Sequence, residues 1–294
     1  MKRICQGDFF DLVFGKSLAD IWVVIDREQE LSLQAAQVGF NEGSHAIAVD
    51  PFTSNHLLAD FSGKGLFESQ DGGTNWTQVT NLPAIPNGGS AQINAITFGP
   101  KVPGTIFIST TGNGNAGVLR STDGGASYAL ANSGLTDFHV SAVAVNPQTP
   151  SMLFAGTGAG LFKSIDNGNS WVLSITRTAS VISLDANSTP PTVYINGAKS
   201  TDLGVTWLPI SQGTNGIVVD PSTPNSIFAF DADLVGVRWS PDGGSTFFPL
   251  NSNLGQSNLF RGFGGQGFIV TPGSPQTLFA ASLSNSVLRF VVGP

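Results

Sequence analysis

Three aspartates, Asp60, Asp231 and Asp233, are the best candidates for catalysis in this sequence, because two of them could act as a pair of carboxylates. Asp60 lies in the segment LLADFSGKGLF, and the other two lie far along the chain in FDADLVG. Glycosidases place two carboxyl groups about 5–5.5 Å apart when they retain configuration and about 6.5–9.5 Å apart when they invert it. Asp60 with Asp231 or Asp233 is therefore a candidate acid/base pair if the fold joins the two segments. The alternative is that all three are solvated loop aspartates, the common state of such residues.

Metal-binding patterns are weak throughout the sequence. Asp231 and Asp233 supply two oxygen ligands two residues apart, as some calcium loops do, but the later glutamate and the spacing of an EF-hand are missing. The three histidines, at positions 45, 56 and 139, lack zinc-site spacing, and the single cysteine, Cys5, has no partner for a disulfide. The glycine-rich GFGGQG at 262–267 lacks the lysine of a phosphate loop. We expect no metal and no cofactor.

The charge balance restricts the partners. Twenty acidic residues against 13 basic ones give a formal net charge of −7, and lysines and arginines do not cluster. Nucleic-acid binding through phosphate contacts is therefore not expected. The longest apolar runs, such as Ile21–Ile25, have the length of a strand, so membrane insertion is not predicted. Asp8 and Asp11 interrupt the apolar core that a signal peptide would need, so no signal peptide is visible.

An internal repeat defines the elements that would position these residues. Five segments share the pattern Ser, any residue, Asp, any residue, Gly, any two residues, and an aromatic residue. They are SQDGGTNW (69–76), STDGGASY (121–128), SIDNGNSW (164–171), STDLGVTW (200–207) and SPDGGSTF (240–247). Their aspartates recur every 36 to 52 residues, which is the length of a four-stranded blade.

Turn chemistry explains the residue types of this octapeptide without catalysis. The serine hydroxyl and the aspartate carboxylate can bond backbone groups of a tight turn, the glycine supplies a positive φ, and the ring can cover apolar surface between blades. We therefore interpret the repeated positions as structural and not as acid/base residues. They are Ser69, Asp71, Gly73 and Trp76; Ser121, Asp123, Gly125 and Tyr128; Ser164, Asp166, Gly168 and Trp171; Ser200, Asp202, Gly204 and Trp207; and Ser240, Asp242, Gly244 and Phe247. Arg120, Lys163 and Lys199 directly precede a box serine, and we expect them to be surface charges.

Strand patterns flank the octapeptides. Alternating segments that end in a proline turn, at 46–51, 142–147 and 216–221, predict the innermost strand of a blade. A second strand follows at 57–59, 105–109, 152–155, 192–195, 227–230 and 278–281, a third leads into the serine, and a fourth begins at the aromatic residue. The sequence therefore predicts an all-β fold, a single β-propeller of four-stranded blades.

The five octapeptides resemble the Asp-box, or BNR, repeats of sialidases, sortilin-type receptors, xyloglucan-degrading glycosidases and a photosystem II assembly factor. The resemblance covers about residues 46–290 and implies a propeller, together with an extracellular or cell-surface location. Asp60 stands at a loop position similar to that of a catalytic aspartate in the xyloglucan-degrading members. A sialidase is not expected, because the only tyrosines, Tyr128 and Tyr194, lie in an octapeptide and in a predicted strand, so the nucleophile is missing.

Ring closure is expected to involve both ends of the chain. Segments 267–271, 278–281 and 287–292 align with the first three strands of a blade, and residues 9–15, 20–26 and 31–35 align with strands two to four of a degenerate one. If 31–35 completes the last blade, six blades close with no exposed edge, although seven blades stay possible. Residues 1–40 would then be N-terminal closing strands and residues 41–294 the propeller, together one domain.

Topology selects the candidate ligand-binding residues. In such a propeller, the loops between strands two and three and the loops between blades share one face, and the octapeptide turns lie on the other. The candidates on the first face are Lys64, Asn113, Asn115, Asp137, His139, Arg177 and Arg261, beside the three aspartates named above. We interpret the chain as a monomeric, non-catalytic propeller that presents these loops to a protein or carbohydrate partner. The alternative is a glycoside hydrolase that uses Asp60 with Asp231 or Asp233.

Overall fold

A computed structural model of the chain describes residues 11–12, 44–61, 64–84, 92–112, 116–210, 216–231, 236–249, 268–271, 276–282 and 286–292. The regular elements of these ranges are 24 β-strands in six sheets. The same ranges contain no helix that could serve as a transmembrane span. The prediction of an all-β fold is confirmed.

The strands of each sheet follow one another along the chain. The first sheet contains β1 (Asp11–Leu12), β2 (Ser44–Val49), β3 (Leu57–Phe61), β4 (Gly65–Ser69) and β5 (Thr77–Gln78). The second contains β6 (Gln92–Phe98), β7 (Ile106–Thr111), β8 (Val118–Ser121) and β9 (Ala129–Leu130), and the third β10 (Val140–Val145), β11 (Leu153–Thr157), β12 (Leu161–Ser164) and β13 (Val172–Ile175). The fourth contains β14 (Ile182–Asp185), β15 (Thr192–Ile195), β16 (Ala198–Ser200) and β17 (Leu208–Pro209). The fifth contains β18 (Gly216–Val219), β19 (Ile227–Asp231), β20 (Gly236–Ser240) and β21 (Phe248–Pro249), and the sixth β22 (Phe268–Thr271), β23 (Gln276–Ser282) and β24 (Ser286–Val292).

The first five sheets are the blades that the octapeptides predict. In each of them four consecutive strands pair antiparallel, and the third strand ends at the box serine. The inner and second strands begin within two residues of their predicted positions. Alternation of apolar side chains is therefore a sufficient signal for these elements.

The two ends of the chain are described only in part. Asp11–Leu12 pairs parallel with β2, opposite Ala46 and Ile47, an arrangement that the alignment of residues 9–15 with an antiparallel second strand does not anticipate. The three strands of the sixth sheet lie where segments 267–271, 278–281 and 287–292 predict them. Segments 20–26 and 31–35 lie outside the described residues, so ring closure and the number of blades stay predictions.

The core lies between neighbouring blades, because successive side chains of a strand point to opposite faces of its sheet. In β7, Ile106 and Ile108 pack in one buried cluster with Leu58 of the first blade. Phe107, between them, packs in a second cluster with Leu153 of the third blade. The second blade is thus buried on both faces, as the resemblance to propellers implies.

The box turns, defined as residues 69–76, 121–128, 164–171, 200–207 and 240–247, lie at one end of the blades. The turn between strands one and two lies at the same end, since its carbonyl accepts a hydrogen bond from the box turn of its own blade, as Ser151 does from the N–H of Asn167 at 2.9 Å. We call this end the box face. The loops between strands two and three and between blades emerge at the other end, which we call the loop face.

Candidate binding face

The sequence-predicted site residues fall into three groups. Lys64, Asp137, His139 and Arg177 are described and lie on the loop face. Asp60 is described as a strand residue, and Asp231 is described in its backbone as the last residue of β19, opposite Gly236. The remaining candidates, Asn113, Asn115, Asp233 and Arg261, lie outside the described residues.

Asp60 is buried inside the protein instead of lying in a solvated loop. It is the fourth residue of β3, it pairs with Leu66 of β4, and only 4% of it is exposed. By alternation it shares a face with Leu58, which packs against Ile93 and Ile96 of the second blade. The expectation of a solvated loop aspartate is therefore wrong, because β3 extends two residues beyond its predicted end. The carboxyl is directed into the junction between the first two blades.

Asp137 fixes the loop that enters the third blade. Its Oδ1 accepts a hydrogen bond from the N–H of His139 at 2.9 Å and lies 3.3 Å from His139 Nδ1, while its Oδ2 accepts from the N–H of Ala159 at 3.1 Å. Burial acts to raise the pKa of this carboxyl, but the backbone N–H donors and the imidazole outweigh it and lower the pKa. An ionised Asp137 therefore ties the entry loop to the β11–β12 turn.

This anchoring leaves two side chains on the surface. Phe138 is 40% exposed, and the side chain of His139 is 54% exposed. Because the Nδ1 of His139 faces Asp137, its Nε2 is the ring nitrogen available to a ligand. Phe138 is not among the residues predicted from the sequence. Its position between the candidates Asp137 and His139 could have indicated that it belongs to the same surface.

Arg177 fixes the next loop in the same way. Its Nη1 donates to the carbonyl oxygens of Gly197 at 2.9 Å and Asn196 at 3.3 Å, both in the β15–β16 turn. Its neighbour Thr178 donates from Oγ1 to the carbonyl of Gly158 at 3.1 Å. The loops at 137–139, 157–160, 177–179 and 196–197 therefore form one hydrogen-bonded surface, which we call the loop ridge.

Lys64 stands apart from the ridge, at the β3–β4 turn. Its N–H donates to the carbonyl of Phe61 at 2.8 Å, and its own carbonyl accepts from Gln78 Nε2 at 2.8 Å. The side chain is exposed. Within the described ranges, no group of three or more histidine, cysteine or acidic residues could hold a metal ion.

The five box turns share one hydrogen-bond pattern. In the third blade, Ser164 Oγ donates to Asp166 Oδ1 at 2.8 Å and accepts from the N–H of Gly168 at 2.9 Å. Asp166 also accepts from the N–H and the hydroxyl of Ser170. The two serine bonds and the backbone N–H bond to the aspartate recur in the other four turns.

The seventh residue of the octapeptide also belongs to this hydrogen-bond pattern, although the sequence pattern allows any residue at that position. It is Asn75, Ser127, Ser170, Thr206 or Thr246, and in every blade its side chain donates to the second oxygen of the box aspartate. The signal was present, because all five residues can donate a hydrogen bond. Donation from Ser170 is the main reason that the pKa of Asp166 falls to about 2, and the pKa values of the other four box aspartates are lowered similarly.

The cations before the box serines connect blades. Arg120 donates from Nη1 to the carbonyl of Asn167 at 2.6 Å, and Lys199 donates from Nζ to that of Gly243 at 2.6 Å. Lys163 makes the same bond to Leu203 at 2.7 Å. Each acceptor is the fourth residue of the next blade's box turn. All three residues are partly exposed, as expected of surface charges, and each also links its blade to the next one. The sequence could not reveal these links because the partners lie 40 to 47 residues away.

Comparison with known proteins agrees with this architecture. No protein-family model matches the chain. A probable oligoxyloglucan-reducing end-specific xyloglucanase of Neosartorya fischeri is 27% identical over 238 residues, which cover 72% of this chain and 27% of that protein. A xyloglucanase of Hypocrea jecorina is 29% identical over 174 residues, which cover 58% of this chain and 18% of that protein. The chain thus spans less than a third of each of these relatives.

Solved structures show the fold. An ancestral GH74 enzyme has a TM-score of 0.61 at 20% identity, with 82% of this chain and 35% of that chain covered. YCF48 bound to D1 peptide has a TM-score of 0.56 at 15% identity, with 81% of this chain and 76% of that chain covered. The chain is a β-propeller. The predicted similarity to the Asp-box propellers, among them the xyloglucan-degrading enzymes and the photosystem II assembly factor, is confirmed.

Proposed function

We propose that this propeller is a non-catalytic binding module whose loop ridge takes up a protein or a glycan. The observation that carries the proposal is the construction of the ridge: Asp137 and Arg177 bond to loop backbone, and this holds Phe138 and His139 at the surface. An exposed aromatic ring beside hydrogen-bond donors on rigid loops suits binding, since little conformational freedom is lost when a ligand docks. The structural neighbours include proteins with each kind of ligand. One is a GH74 xyloglucanase, and another is YCF48 bound to D1 peptide.

The alternative function is glycoside hydrolysis with Asp60 as acid or base. It is favoured by the two xyloglucanase relatives and by the resemblance of the segment around Asp60 to that of a catalytic aspartate in xyloglucan-degrading enzymes. Against it, Asp60 faces the neighbouring blade, and the ridge contributes one carboxylate, Asp137, which is engaged by backbone N–H groups. We therefore rank binding first.

The hydrolase alternative is tested with wild type and Asp60→Asn incubated with xyloglucan, β-glucans and sialylated glycans, with reducing ends and free sialic acid measured. We expect no release by either protein. Loss of a catalytic acid/base group lowers turnover by about two to four powers of ten. If wild type releases reducing ends or sialic acid and Asp60→Asn does not, the binding proposal is wrong and the chain is a glycoside hydrolase.

The binding proposal is tested on glycan and peptide arrays. We expect wild type to retain a set of ligands and Phe138→Ala to lose about tenfold or more in affinity, the usual scale for an aromatic anchor. Phe52→Ala is the matched control, since Phe52 is 49% exposed but lies on the box face. If Phe138→Ala binds as wild type does and Phe52→Ala loses affinity, the ligand binds on the box face and not on the loop ridge. An absence of ligands on both arrays would contradict the proposal.

A further inference from the structure

Arg177 presents a fixed guanidinium group on the loop ridge. The carbonyl oxygens of Asn196 and Gly197 hold its Nη1, and the side chain is exposed. Within the described ranges, no acidic residue pairs with it, and its Nε and Nη2 donate to no protein atom. These two nitrogens form the side of the guanidinium that binds a carboxylate through two parallel hydrogen bonds. Arg177 therefore offers a ready carboxylate-binding fork at a fixed place.

Acidic side chains are concentrated on the opposite face of the molecule. Among the acidic side chains that the structure describes, Asp60 and Asp137 are the two that lie toward the loop face. Asp60 is buried, and backbone N–H groups engage Asp137. The acidic residues at the box face are Asp50, Glu68, Asp71, Asp123, Asp166, Asp185, Asp202, Asp220 and Asp242. The basic residues described at that face are fewer: Lys101, Arg120, Lys163 and Lys199. An anionic ligand is therefore repelled at the box face and can approach the loop ridge.

The main chain of the loop ridge is already engaged in hydrogen bonds. The N–H of Ala159, the carbonyl of Gly158 and both main-chain groups of Thr157 have partners within the ridge. An extended peptide binds largely through main-chain hydrogen bonds, so few groups are left for it here. A sugar is bound by side chains instead, with an aromatic ring against its C–H face and a few polar groups for its substituents. The ridge therefore suits a sugar better than an extended peptide.

Two small residues join the aromatic and the cationic parts of the ridge. The N–H of Ala159 bonds the residue before Phe138, and the carbonyl of Gly158 bonds the residue after Arg177, each at 3.1 Å. Gly158 and Ala159 are themselves exposed, and they carry no large side chain that would fill the space above them. A chain of linked sugars can therefore cross these small residues between Phe138 and Arg177.

We propose that the loop ridge binds a polysaccharide of uronic acids, with one sugar ring against Phe138 and a uronate carboxylate on Nε and Nη2 of Arg177. His139, beside Phe138, offers its Nε2 to a sugar hydroxyl. The inference rests on the binding function proposed above and narrows its ligand from any protein or glycan to an acidic glycan.

Polygalacturonate and its methyl ester are matched probes, since they share the sugar ring and differ in charge. By isothermal titration calorimetry, we expect wild type to bind polygalacturonate about tenfold more tightly than the ester, the scale of a charge-assisted hydrogen bond, and salt to reduce the difference. Equal affinity for both polymers, or a preference for the ester, would overturn the inference and leave the binding function intact. Binding of neither would overturn it too, while the glycan and peptide arrays decide the binding function separately.

Substitutions of Arg177 test its role. Arg177→Gln removes the charge but keeps a side-chain donor for the loop carbonyls, so it should bind polygalacturonate no better than the ester. Arg177→Lys keeps the charge without the fork and should retain part of the preference. Lys101→Gln, at an exposed residue of the box face, is the control and should change neither affinity. A full preference in Arg177→Gln, or an equal fall in both affinities, would contradict the assignment, because the second result is that of a purely structural residue.

Poly-L-glutamate distinguishes an acidic glycan from an acidic peptide. It carries carboxylates without sugar rings, so we expect wild type to bind it about tenfold more weakly than polygalacturonate. Phe138→Ala should weaken the binding of polygalacturonate and leave that of polyglutamate unchanged. If polyglutamate binds as tightly as polygalacturonate and Arg177→Gln abolishes this binding, the ligand is an acidic peptide and the inference is wrong.

Discussion

Lys163 of the third blade donates a hydrogen bond from Nζ to the carbonyl oxygen of Leu203, 2.7 Å away in the box turn of the fourth blade. Leu203 has a φ of +58°, a left-handed conformation that costs a non-glycine residue about 1–2 kcal/mol. The two features are related, because the box turn needs positive φ at its fourth and fifth residues to close. The strained turn presents the carbonyl that the neighbouring blade uses.

Replacing Lys163 with Met should lower the free energy of unfolding by about 1 kcal/mol, since the apolar stem is kept and one partly exposed charge-assisted hydrogen bond is lost. Urea denaturation measures the change. Lys101→Met, at an exposed turn residue of the second blade, is the control and should leave the midpoint unchanged. Equal effects of the two substitutions would show that Lys163 does not link the blades.

Leu203→Gly should stabilise the protein by about 0.5–1 kcal/mol, because relief of the left-handed strain exceeds the entropy that a glycine loses on folding. Val205→Gly, two residues on in the same turn, carries the entropy cost without the relief and should destabilise it. Thermal unfolding of both variants checks the sign. A lower melting temperature for Leu203→Gly would mean that the side chain contributes more by packing than its backbone loses by strain.

Trp171 is 3% exposed, and its indole Nε1 donates to the carbonyl of Ala131 in the second blade at 2.7 Å. Trp171→Ala should cost about 3–5 kcal/mol through the cavity that it leaves. Trp171→Phe keeps most of the ring and should cost about 1–2 kcal/mol, mainly by leaving the Ala131 carbonyl unpaired. Phe248→Ala, at a half-exposed ring on an outer strand, serves as control. An unchanged denaturation midpoint for Trp171→Ala would exclude the ring from the core.

Acid should weaken the box turns. The pKa of Asp166 is about 2 in the folded protein, below the value of about 3.9 for an unfolded aspartate. A lowered folded pKa means that this stabilisation is complete above about pH 4 and is lost as pH falls towards 2. We therefore expect Asp166→Asn to be less stable than wild type at neutral pH but to lose less on acidification, as measured by urea midpoints at several pH values.

Ser170→Ala provides the companion variant, because it removes the hydroxyl that contributes most to the low pKa of Asp166 and keeps the carboxylate. Its acid transition should begin at higher pH than that of wild type. Identical acid transitions for wild type, Ser170→Ala and Asp166→Asn would show that this turn does not govern acid stability.

The sequence predicts the blades well because their signals are local. Alternation in a segment such as 142–147 and turn residues such as Gly168 act within a few positions of where they stand. The contacts that build the candidate site are not local. The burial of Asp60 depends on how far β3 extends and on which blade it faces, and the bond from Arg177 to the β15–β16 turn joins residues that only the fold brings together. The predicted topology of the blades marked Asp137 and Arg177 as candidates but could not show that loop backbone holds them.

The bonds from Arg120, Lys163 and Lys199 give the repeat a direction, since each runs from one blade to the box turn of its successor. Each link spans a full repeat, so no blade-length segment of the chain contains both its donor and its acceptor. Two blades excised at the sequence boundaries would leave one donor and one acceptor without partners at their ends. A cut at any other place within the blade would leave the same two groups unpaired, so only a closed ring of linked blades could satisfy every donor and every acceptor.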